Sequence, residues 1–387
     1  MLRLTPEEAM LRDLRIRRLL GRGITARVYK GRWNGVTVAV KIIEHSERSP
    51  GTASSGILRE SLLATQLSHP NIVQSYFTST MTVSKRNALA KAWLSAEAGT
   101  SPATKQSPEP SSSAQKGDDN HDGNSSDSHT AVTMSSEMCW RRSAAPGLLA
   151  AAAWIIMEFC EKGSLERAVS RGTFIRREDR QPEMIGVYKA LLDTASGLGY
   201  LHSIGVVHGD LKNANVLLKG ASRDLRGFSC KIAGFGLSRV LDMDATHDTD
   251  MIDISTCKFG TIVHMPSELL LTGRMTTATD VYSFGLKMWE LFTSQRVFEQ
   301  GLSIGQIFYT VAYQNWRPTV PPNCPPGYAE LMTACWHQDP EQRPTVPQLL
   351  RSLQKLYVAE KQRMAAERQP AAAGAQGAAG AGGEHGV

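Results

Sequence analysis

Apolar and polar residues alternate with period two near the start of the chain, across Leu14–Leu20 and again across Val36-Thr37-Val38-Ala39-Val40-Lys41-Ile42-Ile43. Between them lie Gly21-Arg22-Gly23-Ile24-Thr25-Ala26-Arg27-Val28-Tyr29-Lys30 and a turn at Asn34-Gly35. Alternation bounded by turn residues predicts three antiparallel strands, with the glycines in the first hairpin. The period then lengthens. Residues 57–67 carry apolar positions at helical spacing and stop at Ser68-His69-Pro70. Two further strands are predicted at about 72–83 and 153–159. Ile185 to His202 places Val187, Leu191, Leu192, Ala195, Leu198 and Leu201 on one helical stripe, a buried helix. A last helix is read after Arg351, ending at about Arg368.

Two stretches break these patterns. From about 85 to 146 the chain loses its periodicity, and residues 101–130 are mostly Ser, Pro, Lys, Asp, Asn and Gly. Such a segment cannot bury enough apolar surface to offset its ordering entropy, so disorder is predicted. A connection between two neighbouring strands tolerates the extra length at small entropic cost. Ser107 and Ser111–Ser113 are candidate phosphorylation positions within it, although a neutral insertion is the simpler reading. Residues 359–387 read as a helix end followed by an Ala/Gly-rich tail, and residues 1–13 as a charged lead-in.

Composition narrows the class. The 387 residues are 41% hydrophobic and 21% charged, ordinary for a globular protein, with room for two cores. The net charge of +6 comes from scattered Arg and Lys, a solvated surface rather than a nucleic-acid stripe. Six cysteines show neither metal-ligand spacing nor a disulfide framework, which favours a reducing compartment. The longest apolar run, Leu148 to Met157, is too short to cross a bilayer, and no signal-peptide core is seen. A cytoplasmic or nuclear protein with no membrane segment is expected.

The candidate chemistry lies in His208-Gly209-Asp210-Leu211-Lys212-Asn213-Ala214-Asn215. An acid, a cation and an amide at offsets of two and three residues suit a carboxylate that accepts a hydroxyl proton, a positive charge beside a moving phosphate, and a metal ligand. The loop resembles the catalytic loop of the protein kinases, with Gly209 where Arg is usual. The chain carries other motifs of that superfamily in order. Gly21, Gly23, Ala26 and Val28 follow its glycine-rich pattern, with Ala26 for the third glycine. Val38-Ala39-Val40-Lys41 resembles its lysine strand. Glu60, ahead of His69-Pro70-Asn71-Ile72-Val73, resembles its helix glutamate; read as charges alone, Glu44, Glu47 and Glu60 are equivalent surface acids. Met157 to Cys160 resembles the segment joining its lobes.

The resemblance implies a bilobal α+β fold over residues 14–358, with a small sheet lobe at about 14–158 and a helical lobe at about 163–358. By it, Asp210, Lys212, Lys41 and Glu60 are catalytic. Gly21, Gly23, Ala26, Val28, Ala39 and Lys41 would hold ATP, with the backbone of Glu158 and Cys160 bonding the adenine edge and Met157 as gatekeeper. Asn215 would hold Mg²⁺. Glu268 would pair with Arg343, and Asp280 would hold the catalytic-loop backbone. Lys212 and Thr261 imply a serine/threonine enzyme, and Cys335-Trp336 the tyrosine-kinase-like, Raf-like or plant and algal group. The partner implied is a protein substrate.

Two departures matter. Cys230-Lys231-Ile232-Ala233-Gly234-Phe235-Gly236 has glycine where the family's metal-chelating Asp stands, so metal use should be weakened. Gly209 removes the cation that commonly pairs with a phosphorylated activation segment, so phosphorylation of Thr246, Thr249, Ser255 or Thr256 should matter little. An impaired kinase is expected, with a pseudokinase scaffold as the alternative.

Overall fold

A computed structural model describes residues 10–23, 26–44, 60–63, 65–84, 148–224, 226–241, 259–298 and 302–368. The predicted insertion, the candidate phosphorylation sites and the tail after 368 lie outside them.

The first of two compact units comprises residues 1–53 and 79–155. Its sheet is built on β1 (Arg15–Arg22), β2 (Ala26–Trp33) and β3 (Val36–Glu44), with β4 (Ser75–Ser84) and β5 (Leu148–Glu158), in the order β1-β2-β3-β5-β4. The alternation read in the sequence sets the faces. Tyr29, Val38, Val40 and Ile42 are fully buried. The registers Gly21↔Val28 and Val28↔Lys41 place those three residues side by side across the strands. Ala26 and Ala39, two residues from Val28 and Lys41, fall on the same face because side chains alternate along a strand. Leu11, within the stretch read as lead-in, is buried, and Trp33 Nε1 donates to the Met10 carbonyl at 3.0 Å.

The second unit comprises residues 54–78 and 156–387. Residues 60–66 are helical where described. The helix at Met184–Ser203 buries Val187, Leu191, Ala195, Leu198 and Leu201, with Leu192 partly buried beside the core. It packs on the long terminal helix at Val346–Arg368, which starts a turn and a half before the position read from the sequence. The helix at Thr277–Thr293 is buried along nearly its whole length and supports the loop at 208–215. That loop leaves the short strand β6 (Val206–Val207) and enters the hairpin of β7 (Val216–Gly220) and β8 (Phe228–Ile232). Among the described residues, no helix is long and apolar enough to cross a membrane.

Candidate active site

The loop at 208–215 is shaped by a buried carboxylate beneath it. Asp280 is fully buried and accepts the backbone N–H groups of His208 and Gly209, both at 2.8 Å, and approaches His202 Nε2 at 2.9 Å. Burial alone would raise its carboxyl, but the imidazole of His202 and the loop amides outweigh that and hold it below the usual carboxylate range. The role expected of Asp280 is therefore the one it fills.

His208 lies above. Its Nδ1 accepts the Asp210 N–H at 3.2 Å and its Nε2 lies 3.1 Å from the Ala233 carbonyl, a pairing that assigns the proton to Nε2. A second anchor, not legible in the sequence, is Asn213, whose amide donates to Glu290 Oε2 at 2.8 Å. Both residues are buried. The loop backbone is thus fixed from below at two places.

Above that frame the three predicted groups converge. Lys212 Nζ lies 2.7 and 2.8 Å from the two oxygens of Asp210 and 2.8 Å from Thr261 Oγ1. Asn215 Nδ2 donates to the Asp210 carbonyl at 2.8 Å and to Asp210 Oδ2 at 2.7 Å. Asp210 and Lys212 are each largely buried, at 14% and 16% side-chain exposure, so this ion pair is screened less than a surface one. The arrangement holds a carboxylate and an ammonium side by side, next to a hydroxyl of the helix at Phe259–Ile262.

Gly234 has φ 87° and ψ 51°, the left-handed region. A Cβ built there would lie 2.8 Å from Asn215 Cγ and Oδ1 and 3.1 Å from Nδ2, so the Asn215 amide fills the space beside it. This bears directly on the expected Mg²⁺ site. Gly234 offers no side-chain oxygen, Asn215 can offer only its Oδ1, and both Asp210 oxygens face Lys212. No group of His, Cys, Asp and Glu among the described residues suits a metal ion. The donor set does not fit a carboxylate-built magnesium site.

Gly209 also has positive φ, 73°, and a Cβ there would run into the Met275 methyl and sulfur. Met275 is buried, so its thioether fills the space beside the missing arginine's position. The four phosphorylatable residues named above lie outside the described residues.

The other expected residues fall as follows. Gly21, Gly23, Ala26, Val28, Ala39 and Lys41 belong to the first unit, and all but Gly23, which follows β1, lie on the sheet face already described. Gly21 has open space where a Cβ would be, whereas one on Gly23 would press on the Ala26 carbonyl at 3.0 Å. Glu60 belongs to the second unit, is buried, and has its Oε2 3.5 Å from the Cβ position of Gly236. Glu158 and Cys160 are buried at the end of β5 and just beyond it. Burial pushes the Cys160 thiol up to about 12, with Glu158 adding to the effect, so the side chain stays a neutral thiol.

Farther away, Arg343 Nη1 and Nη2 grip Glu268 Oε1 and Oε2 at 2.6 and 3.1 Å, the two-pronged pair expected. Arg343 also donates to the carbonyls of Ala278 and His337, which ties the helix at Ser267–Thr272 to the Thr277–Thr293 helix.

Comparison with known proteins agrees with this geometry. A probable serine/threonine-protein kinase of Dictyostelium discoideum is 27% identical over 351 residues, covering 90% of this chain and 28% of that protein. The serine/threonine/tyrosine-protein kinase HT1 of Arabidopsis thaliana is 33% identical over 201 residues, covering 52% of this chain and 46% of HT1. A second probable serine/threonine-protein kinase of Dictyostelium discoideum is 26% identical over 341 residues, covering 88% of this chain and 16% of its own. The chain therefore spans less than half the length of each of these relatives. The sequence profile of the protein tyrosine and serine/threonine kinase family matches residues 14–90 and 128–353, most of the chain. The ordered motifs, the sheet and helical units and the loop built on Asp210 and Lys212 all accord with that match, and the chain belongs to the protein tyrosine and serine/threonine kinase family.

Proposed function

We propose that this chain transfers the γ-phosphate of ATP to serine or threonine hydroxyls of a protein, slowly and with impaired use of magnesium. The observation that carries the reading is the contact of Lys212 with both Asp210 and Thr261. Asp210 accepts the proton of the attacking hydroxyl. Lys212 supplies positive charge where the phosphoryl group moves, and Thr261 holds that ammonium from the activation-segment side. By the family resemblance, Lys41 and Glu60 are assigned to the α- and β-phosphates, and Gly21, Gly23 and Ala26 to the phosphate-covering turn. The same resemblance assigns Val28 and Ala39 to the base and the backbone of Glu158 and Cys160 to its edge. Among the described residues, Asn215 Oδ1 is the one familiar metal ligand left. Loss of a single well-placed electrostatic stabiliser costs about 10²–10³ in rate. Lys212, Thr261 and the Cys335-Trp336 pair support a serine/threonine enzyme of the tyrosine-kinase-like group.

A second reading, a nucleotide-binding pseudokinase whose output is a protein contact, is favoured by one observation: Gly234 stands beside an Asn215 whose amide nitrogen is turned to Asp210. Incubating the purified chain and its Asp210→Asn variant with γ-labelled ATP and a mixed peptide substrate separates the two. Label on serine and threonine that disappears in Asp210→Asn supports the enzyme. Equal, background label in both proteins leaves the scaffold.

A further inference from the structure

The segment that follows β5 is held in a way its own sequence does not announce. Lys219 Nζ, from β7, donates to the Phe159 carbonyl at 2.8 Å and lies 3.3 Å from Glu161 Oε2. Glu161 Oε1 accepts the Gly220 N–H at 2.7 Å. Lys162 N donates to the Leu218 carbonyl at 3.2 Å, Leu218 N to the Gly163 carbonyl at 2.8 Å, and Ser164 bridges Leu217 in antiparallel fashion. Residues 159–164 are therefore stitched along β7, the strand that leads out of the 208–215 loop.

Just before them, Glu158 is clamped from another direction. Its N–H donates to the Gln74 carbonyl at 2.9 Å, and its Oε1 accepts the Gln74 N–H and meets Lys231 Nζ, both at 2.8 Å. With Glu158 fixed on one side and Glu161 on the other, the peptide joining Phe159 to Cys160 is the one held by a side-chain cation.

A trans peptide is planar, and its C=O and N–H point in opposite directions. An ammonium that captures the Phe159 oxygen thereby also sets the aim of the Cys160 N–H. A hydrogen bond from a charged donor polarises the amide, and hydrogen bonds in a chain strengthen one another. That N–H donates to no backbone group among the described residues, and Cys160 is buried. It is an aimed, polarised donor.

We propose that Lys219 is a positioning residue for the nucleobase, acting through the Phe159–Cys160 peptide on the donor that meets the ring nitrogen of adenine. This rests on the reading above, in which Cys160 bonds the adenine edge. Lys219 never touches the nucleotide; its effect is confined to one hydrogen bond of the base.

Phe159-Cys160 is the only Phe-Cys dipeptide in the sequence, so ¹³C′-Phe and ¹⁵N-Cys labelling selects this peptide alone in an HNCO spectrum. Its carbonyl shift should move upfield in Lys219→Met and be restored in Lys219→Arg. In parallel, the affinities of wild type and Lys219→Met are measured for adenosine and for 1-deazaadenosine, which lacks the ring-nitrogen acceptor. Lys219→Met should weaken adenosine about threefold to tenfold, the scale of one partly exposed hydrogen bond, and leave 1-deazaadenosine unchanged. Lys219→Arg should bind as wild type. Unchanged adenosine affinity, or an equal loss for both ligands, overturns the proposal, since a merely structural lysine would affect them alike. A wild type that binds neither nucleoside overturns the nucleotide reading itself, and the proposal with it, even where the carbonyl shift confirms the Lys219 bond.

Discussion

Restoring the missing carboxylate, Gly234→Asp, tests how the site has adapted to glycine. The new Cβ would meet Asn215 Cγ and Oδ1 at 2.8 Å, closer than real Cβ atoms approach. Asn215 must move, and its amide is held by the carbonyl and carboxylate of Asp210 at 2.8 and 2.7 Å. Surrendering two such bonds costs about 0.5–1.5 kcal/mol each. A residue other than glycine at φ 87° adds about 1 kcal/mol, kept small because Asp tolerates this region better than most. Without metal the variant should thus be roughly 2–4 kcal/mol less stable than wild type, several degrees in Tm for a domain of this size. Magnesium should reverse the loss, because the carboxylate and Asn215 Oδ1 together make two oxygen ligands. Ligand at about 100 times its Kd returns about 2.7 kcal/mol. Thermal unfolding of both proteins in chelator and in magnesium is the assay. The wild type should show little magnesium dependence and the variant a clear one. A variant as stable as wild type in chelator would refute the crowding argument, and one indifferent to magnesium would refute the account of the donor set.

Three other perturbations address the frame beneath the site. Lys287 is fully buried, its ammonium donates to no described group, and burial brings its pKa down to about 7 despite the opposing pull of Cys230 and Glu290. The unfolded chain holds that proton up to the ordinary lysine range, so stability should rise with pH from about 7 towards 10.5. Lys287→Met should flatten this rise and gain about 1–3 kcal/mol at neutral pH, read by thermal unfolding across pH. Asp280→Asn should cost about 1.5–3 kcal/mol, because an amide cannot accept both loop N–H groups and the His202 proton together. Since the Asp280 carboxyl is depressed in the folded state, the stability it contributes is present above the ordinary carboxylate pKa and is lost as pH falls through the folded value. The variant should lack that part of the acid limb. Arg343→Met should lose about 3–5 kcal/mol in chemical unfolding by leaving Glu268 without its partner, while Arg343→Lys keeps the charge but loses the fork and falls between.

Local patterns carried much of the fold. Alternation located β1 and β3, and helical spacing found the helix at Met184–Ser203 within a residue or two. The cluster at 208–215 was legible because Asp210, Lys212 and Asn215 lie within six residues of one another. Asp280 and the Glu268–Arg343 pair were legible only through family motifs, since nothing local in the sequence couples positions about 70 residues apart. What stayed hidden was the partner chemistry at long range. Asn213 meets Glu290 across 77 positions and Lys219 meets Phe159 across 60, and neither pairing has a local signature. Nothing local in the sequence marks Lys287 as buried, yet its helix is buried along nearly its whole length. The start of β5 was missed because Leu148 to Ala152 is an unbroken apolar run, in which period cannot distinguish strand from helix.

The central claim is that Asp210 and Lys212 form a working phosphotransfer site in which magnesium has a diminished part. Its most direct test is the rate of γ-phosphate transfer by the wild-type chain to a serine/threonine peptide, titrated with magnesium and repeated in excess chelator. Slow transfer that depends on Asp210 and varies little along the titration is the predicted result. Transfer that rises steeply with magnesium and vanishes in chelator would contradict the diminished metal role. Silence in every condition would contradict catalysis itself.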